Sequence, residues 1–348
     1  MKDTLLSLKT RFQPLTQFLQ RYRNIILNIL RIAVSVILLA IIFLTIDLQD
    51  FWRVIQNANL WWLLGAVVMM LLGVVARAWR WKILLDSINV VVSLGELTAI
   101  YLIGFLFNNL LPSGLGGDAI RMLEVNRYTE RKSDTFTSVI VDRYLGLLAS
   151  QAIALVALLL NWGTVPDIVA YFTIIIFTGG VIAGFLLTNR PLYLNLQRRF
   201  KLFARLTKVK FIGNLFESFQ RYPLAAIGRS YLVSFLFNAT LVMMYACIGW
   251  ALGAQVTLAQ FAITVPITSL FLILPISVGG LGVREWSFKL LYQPIGVTEP
   301  MAVVMSLLVY LVGNIVPGII GGIIYLIRGA RGVVEESKQS EPSQNEPQ

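Results

Sequence analysis

FNNLLPSGLGGDAIRMLEV, residues 107–125, decides how this chain is built. Two asparagines, a proline, three glycines, an aspartate and an arginine interrupt a sequence that is otherwise oily. The same interruption returns at ILPISVGGLGVR, residues 273–284. Set against LLPSGLGGDAIR (110–121), it shares the pattern Leu-Pro-x-x-x-Gly-Gly-x-x-x-Arg, with Pro112 to Arg121 spaced like Pro275 to Arg284. Proline breaks a helix by removing a donor and clashing with the preceding turn. The pairs Gly116–Gly117 and Gly279–Gly280 permit backbone angles other residues avoid and let helices approach closely. A helix restarting after Gly117 or Gly280 would aim free N–H groups at an anion. Arg121 and Arg284 would then stand about one turn in, able to grip a phosphate in fork geometry. Asn108 and Asn109 add neutral donors and acceptors.

Working outward, 57% of the 348 residues are hydrophobic and 14% are charged, against about 25% charged in soluble domains. Apolar segments lie near 25–46, 60–76, 97–112, 137–160, 167–188, 230–252, 258–275 and 300–327. Runs of roughly 20 such residues span the hydrocarbon core as helices, so the chain reads as an all-α integral membrane protein, polytopic, with about eight hydrophobic segments. The first run has no cleavage site after it and reads as an anchor. Histidine is absent, which removes Ser-His-Asp and Cys-His catalysis and HExxH zinc sites. The single cysteine, Cys247, excludes an intramolecular disulfide. No Walker loop is present, and no metal or cofactor is expected.

Lys and Arg set the orientation. Residues 1–31 hold six of them, 77–95 three, and 190–229 nine against the single acid Glu217, whereas 161–166 and 253–257 hold none. Basic loops belong inside. On that count 97–112 begins and ends on the cytoplasmic side, and 258–275 begins and ends outside. The expectation is six full spans plus two re-entrant segments, an inverted repeat, with both termini cytoplasmic and 25 of 29 Lys/Arg in cytoplasmic stretches. Inverted repeats commonly place a substrate site near the bilayer midplane. Trp52, Trp61, Trp62, Trp162 and Trp250 fall at the outer interface, Trp79 and Trp81 at the inner one.

Three further features carry charge. VDRYLG (141–146) places Asp142 and Arg143 a turn or two into an apolar helix, where ionisable residues default to function. They point in different directions and need partners, Arg121 and Asp118 being the natural ones; a purely structural ion pair is the competing reading. RAWRW (77–81) reads as a cytoplasmic interface anchor. In 190–229, Leu196, Phe200, Phe203 and Leu206 recur at helical spacing, an amphipathic helix on the anionic inner leaflet. That accounts for the net charge of +11 without nucleic acid.

NNLLPSGLGGDAIR, then SVIVDRYLGLLA, then LPISVGGLGVREW resemble the flippase-like membrane domain of lysylphosphatidylglycerol synthases, the UPF0104 group, which includes stand-alone members. The resemblance covers roughly residues 25–328, with 1–24 a cytoplasmic segment and 329–348 a polar tail expected to be disordered and cytoplasmic. It implies a lipid-translocating role in the bacterial inner membrane, and site positions at Asn109, Pro112, Gly116, Gly117, Asp118, Arg121, Asp142, Arg143, Pro275, Gly279, Gly280, Gly282, Arg284 and Glu285. Only about 20 polar residues follow Arg328, so the aminoacyl-transferase domain of the bifunctional synthases is not expected.

The reading is a translocator of a phospholipid or glycolipid with an anionic or modified headgroup. Arg121 and Arg284 would bind phosphate from opposite faces; Asp118, Asp142 and Glu285 would neutralise them when the site is empty, with Asp142 a candidate for proton coupling. Two alternatives stand beside it: a polytopic lipid-headgroup transferase using Asp118 or Asp142 as base, and a membrane anchor for a separate lipid-modifying or glycosyltransferase enzyme.

Overall fold

A computed structural model describes residues 48–110, 116–129, 132–163, 165–200, 216–217, 219–273, 280 and 282–339. The first expected span, 25–46, and the residues Pro112, Pro275 and Gly279 lie outside them. The described residues are helical, without strands. In chain order the helices are α1 (Leu48–Gln56), α2 (Leu60–Asp86), α3 (Leu94–Leu110), α4 (Gly116–Val125), α5 (Lys132–Leu160), α6 (Asp167–Thr188) and α7 (Arg190–Arg199). There follow α8 (Leu224–Ala251), α9 (Leu258–Ile273), α10 (Val283–Tyr292), α11 (Glu299–Tyr310) and α12 (Val316–Gln339). A π-turn, Leu311–Ile315, joins α11 to α12 into one long rod.

Five described segments are long and apolar enough to cross a bilayer: Leu60–Asp86, Asp134–Leu160, Asp167–Thr188, Leu224–Ala251 and Glu299–Arg328. The two short apolar helices, α3 and α9, are the segments expected to re-enter. Each folds back on the short helix after it. In the first hairpin Asn108 meets Gly117, and Tyr101 meets Arg121, an antiparallel pairing. In the second, Phe271 packs edge-on against Trp286 and Phe261 lies 5.7 Å from Tyr292.

The packing between halves is reciprocal. α2 runs along α8. The first hairpin's α3 lies on α12, and the second hairpin's α9 lies on α5. Exchanging α2–α5 for α8–α12 maps one set of contacts onto the other, the signature of an internal repeat. Gly318, Gly321 and Gly322 make the α3–α12 contact possible, because a Cβ on Gly321 would collide with the Leu102 carbonyl. Membrane helices use small residues in this way to bring backbones together. Buried residues make up 67% of the apolar window of α8 and 11% of that of α6, so α8 is the centre of the bundle and α6 its lipid-facing margin.

Several details depart from the sequence reading. α2 does not stop at residue 76 but continues ten residues further, carrying RAWRW with it. Residues 48–56, between the first two apolar segments, form a helix with Trp52 exposed. α7 ends at Arg199 and Phe200 takes an extended conformation, because the chain leaves the helix there, so the stripe from Leu196 does not continue through it. Phe203 and Leu206 lie outside the described residues. α12 runs on past Arg328 to Gln339, into the polar stretch.

Candidate functional site

The site grows from four helices that each offer a charged or polar face. On α2, Arg77, Arg80, Trp81 and Leu84 follow one another at three- and four-residue spacing and so share a face. On α5, Asp142 and Gly146 are one turn apart. Gly146 leaves room for Arg80, since a Cβ there would collide with its guanidinium. The helix α4 brings Asp118 and Arg121 to the same place, and α3 contributes Tyr101 and Asn108.

These side chains form one buried network. Arg80 Nε donates to Asp142 Oδ1 at 2.6 Å, and the Tyr101 hydroxyl donates to Asp142 Oδ2 at 2.9 Å. Arg121 Nη2 donates to the Tyr101 oxygen at 2.6 Å and lies 3.4 Å from Asp142 Oδ2, while its Nη1 reaches Asp118 Oδ1 at 3.2 Å. Arg143 pairs with the other oxygen of Asp118. Both pairings that VDRYLG called for, Asp142 with Arg121 and Arg143 with Asp118, are present. The Arg121 guanidinium also lies 3.7 Å from the Tyr101 ring centroid and 4.3 Å from that of Trp81. Trp81 is fully buried and donates from Nε1 to Ser138 Oγ at 2.9 Å. It packs against the Arg121 guanidinium inside the bundle, whereas Trp79, which is exposed, fits the interface reading.

The network lines a cavity of about 390 Å³, within the size range of ligand sites. Among the described residues four arginines (Arg77, Arg80, Arg121, Arg143) and two aspartates (Asp118, Asp142) face it, an excess of two positive charges. Uncompensated charge is expensive inside a membrane protein, so such an excess invites an anion. Among the described residues Arg121 Nε is buried without a partner, one donor still open.

The glycine motifs serve two different purposes. Gly117 is a point of close approach: a Cβ would collide with the Gly104 carbonyl oxygen and the Asn108 amide. Gly280 and Gly282 instead sit at φ of 77° and 80°, the left-handed region that glycine adopts freely. At each helix start one of the amides is already engaged by a side chain of the same hairpin. α4 begins at Gly116 and the Gly117 amide donates to Asn108 Oδ1 at 2.7 Å; α10 begins at Val283 and the Gly282 amide donates to Glu285 Oε2 at 2.6 Å. Each hairpin thus satisfies one donor at the start of its own second helix, since a donor buried without a partner is costly.

Arg284 and Glu285 form a second cluster that does not line the cavity. Arg284 Nη2 donates to Glu285 Oε1 at 2.6 Å, Ser306 Oγ donates to the same oxygen at 3.2 Å, and the guanidinium lies 4.3 Å from the Tyr310 ring centroid. Arg284 is 2% exposed. Asn109, the neighbour of Asn108, reaches toward the second cluster: the Tyr310 hydroxyl donates to Asn109 Oδ1 at 3.3 Å, and Asn109 Nδ2 donates at 2.9 Å to the Asn314 carbonyl within the π-turn. Among the described residues no group of three or more Cys, Asp or Glu is placed to hold a metal.

Arg77, Arg80 and Tyr101 were not among the expected site residues. Their signal was spacing: Arg77 and Arg80 continue the face that Trp81 and Leu84 bury, which a lipid-interface anchor would not do.

Two archaeal proteins are similar along most of their length. A UPF0104 membrane protein of Pyrococcus horikoshii is 23% identical over 322 residues, 85% of this chain and 96% of the relative. A UPF0104 membrane protein of Methanothermobacter thermautotrophicus is 25% identical over 294 residues, 78% of this chain and 86% of the relative. Residues 28–321, which hold both hairpins and the whole charged network between them, match the family described as the lysylphosphatidylglycerol synthase TM region, and the chain belongs to that family.

Proposed function

We propose that this protein moves a lipid with an anionic headgroup between the leaflets of a bacterial inner membrane, as a flippase with both termini cytoplasmic. The observation that carries the reading is the cavity itself, four arginines against two aspartates inside a bundle of membrane-length helices. A phosphate or other oxyanion would complete that charge balance, while acyl chains stay in the bilayer. The aspartates support binding over base chemistry, because both are already committed to arginines. Asp142, with three donors around it, fits a pin that holds Arg80 and Arg121 in place better than a mobile proton carrier.

The two hairpins supply an alternating design. One cluster opens on a cavity; the other, around Arg284, is closed. In an inverted repeat the two would exchange roles as one half rocks against the other, opening the site to each face in turn. The test is reconstitution into vesicles containing a fluorescent phosphatidylglycerol, with membrane-impermeant reduction of the outer-leaflet dye. The wild type is expected to expose the inner-leaflet dye, and Arg121→Ala plus Arg284→Ala to lose that activity. Movement unchanged in the double variant would sink the mechanism.

A further inference from the structure

Arg77 differs from the other three arginines of the cavity. Arg80, Arg121 and Arg143 each pair with an aspartate. Arg77 has no ion pair or hydrogen bond among the described residues. Its guanidinium lies instead 4.1 Å from the Phe237 ring centroid and 5.8 Å from that of Phe105. Aromatic faces hold a guanidinium in place without neutralising it. Arg77 is thus a fixed, full charge that stays available.

It also stands at a junction. Above the arginine cavity is a constriction of about 40 Å³, which shares Arg77, Phe105, Phe237 and Leu241 with it. The constriction shares Met69 and Thr240 in turn with a groove of about 650 Å³ between α2 and α8, lined almost wholly by apolar atoms and bordered by Trp61 and Trp62. The three spaces adjoin in series through shared wall residues, polar at one end and oily at the other, with Arg77 where the polar cavity meets the small one. From Arg77 to Trp61 the helix climbs about 24 Å. That exceeds one leaflet of hydrocarbon, half of roughly 30 Å. A headgroup at Arg77 with its chain pointing up the groove has the orientation of an inner-leaflet lipid, if Trp61 and Trp62 mark the outer interface as the charge pattern requires.

Resting on the lipid-transport reading above, we propose that Arg77 is the cation that takes the phosphate of the lipid, and that the α2–α8 groove holds the lipid's hydrocarbon chain. The ligand class is a phosphate joined to a long apolar tail. Neither free phosphate nor a neutral lipid satisfies both ends.

The protein carries its own reporter, because Cys247 lines the groove. The full chain, purified in detergent, is labelled at Cys247 with an alkyl methanethiosulfonate while phosphatidylglycerol, diacylglycerol or inorganic phosphate is titrated as protector. Ala239→Cys in a Cys247→Ser background gives a second position in the same groove. Phosphatidylglycerol is expected to protect at roughly tenfold lower concentration than diacylglycerol, the increment of one charge-assisted contact. Arg77→Gln removes that advantage and leaves diacylglycerol protection unchanged, which also shows that the variant is folded; Arg77→Lys keeps most of it. Equal protection by the two lipids, an advantage that survives Arg77→Gln, or protection by inorganic phosphate alone overturns the proposal. So does failure of the reagent to reach either cysteine. The vesicle assay separates this from the transport reading. Lipid movement without the phosphatidylglycerol advantage overturns the Arg77 site alone; the advantage without lipid movement keeps the site and overturns transport.

Discussion

Asp142→Asn keeps the size of the side chain and removes one charge from the centre of the network. The Asp142 side chain is 1% exposed and holds Arg80 at 2.6 Å, the Tyr101 hydroxyl at 2.9 Å and Arg121 at 3.4 Å. Asparagine offers one acceptor oxygen in place of two and turns an N–H donor toward a guanidinium. Removing one partner from a buried ion pair costs about 3–5 kcal/mol, because the other charge stays buried. Asp118 still holds Arg121, so the lower end applies, about 3 kcal/mol. At about 1.4 °C per kcal/mol for a chain of 348 residues, melting falls by about 4 °C. Thermal unfolding of the detergent-purified protein, followed by tryptophan fluorescence, measures the shift. Adding Arg80→Gln removes one of the stranded charges, and the double variant is expected to lie about 1–2 kcal/mol above the sum of the singles. Additivity within about 0.5 kcal/mol, or a melt within a degree of wild type for Asp142→Asn, would refute the reasoning.

Three other expectations follow from the packing and the charge pattern. Gly117→Ala forces a methyl into the Gly104 carbonyl and costs about 1–3 kcal/mol, whereas Gly65→Ala meets only the Cys247 sulfur at 3.6 Å and leaves melting within about 0.5 kcal/mol of wild type; equal shifts would break the argument. Glu96→Gln opens the bidentate pair with Arg328, both contacts 2.8 Å, but these side chains are 26% and 34% exposed, so the loss is below about 1 kcal/mol and shrinks in high salt. In a Cys247→Ser background, Gln255→Cys and Thr298→Cys are expected to react with an impermeant thiol reagent in intact cells. Ser93→Cys and Tyr128→Cys should react only after permeabilisation; labelling of all four from one side would end the inverted-repeat reading.

The all-helical architecture, five of the expected spans and the two short apolar segments were legible because they rest on features a single chain carries locally: apolar runs of bilayer length and the Pro-Gly-Gly interruptions. The short helices α3 and α9 begin and end within three residues of the expected segments. Asp118, Arg121, Asp142 and Arg143 were legible because charge inside an apolar run needs a partner. The role of RAWRW was not, because an arginine near the end of a span can snorkel to a headgroup or turn inward, and only the packing of α8 against α2 decides between them. The capping of both hairpin helices by Asn108 and Glu285 was equally hidden. It depends on the turn bringing a side chain back to an amide nine residues on in one case and three residues earlier in the other.

Reciprocal packing also bears on how the chain is made. The face of α3 that takes Gly318 and Gly321 has no partner until α12 is synthesised, about 200 residues later. At roughly 5–20 residues per second, the first hairpin is complete some 10–40 s before its cover exists. During that interval the Leu102–Asn109 edge faces lipid or the insertion machinery. The backbone there is already satisfied within its helix, but Asn109 has neither Tyr310 nor Asn314 to bind. The second hairpin meets no such delay, since α5 is in place long before α9 emerges. Assembly is therefore asymmetric in time although the helix pairings of the two halves are reciprocal, and the half made first is the half that waits.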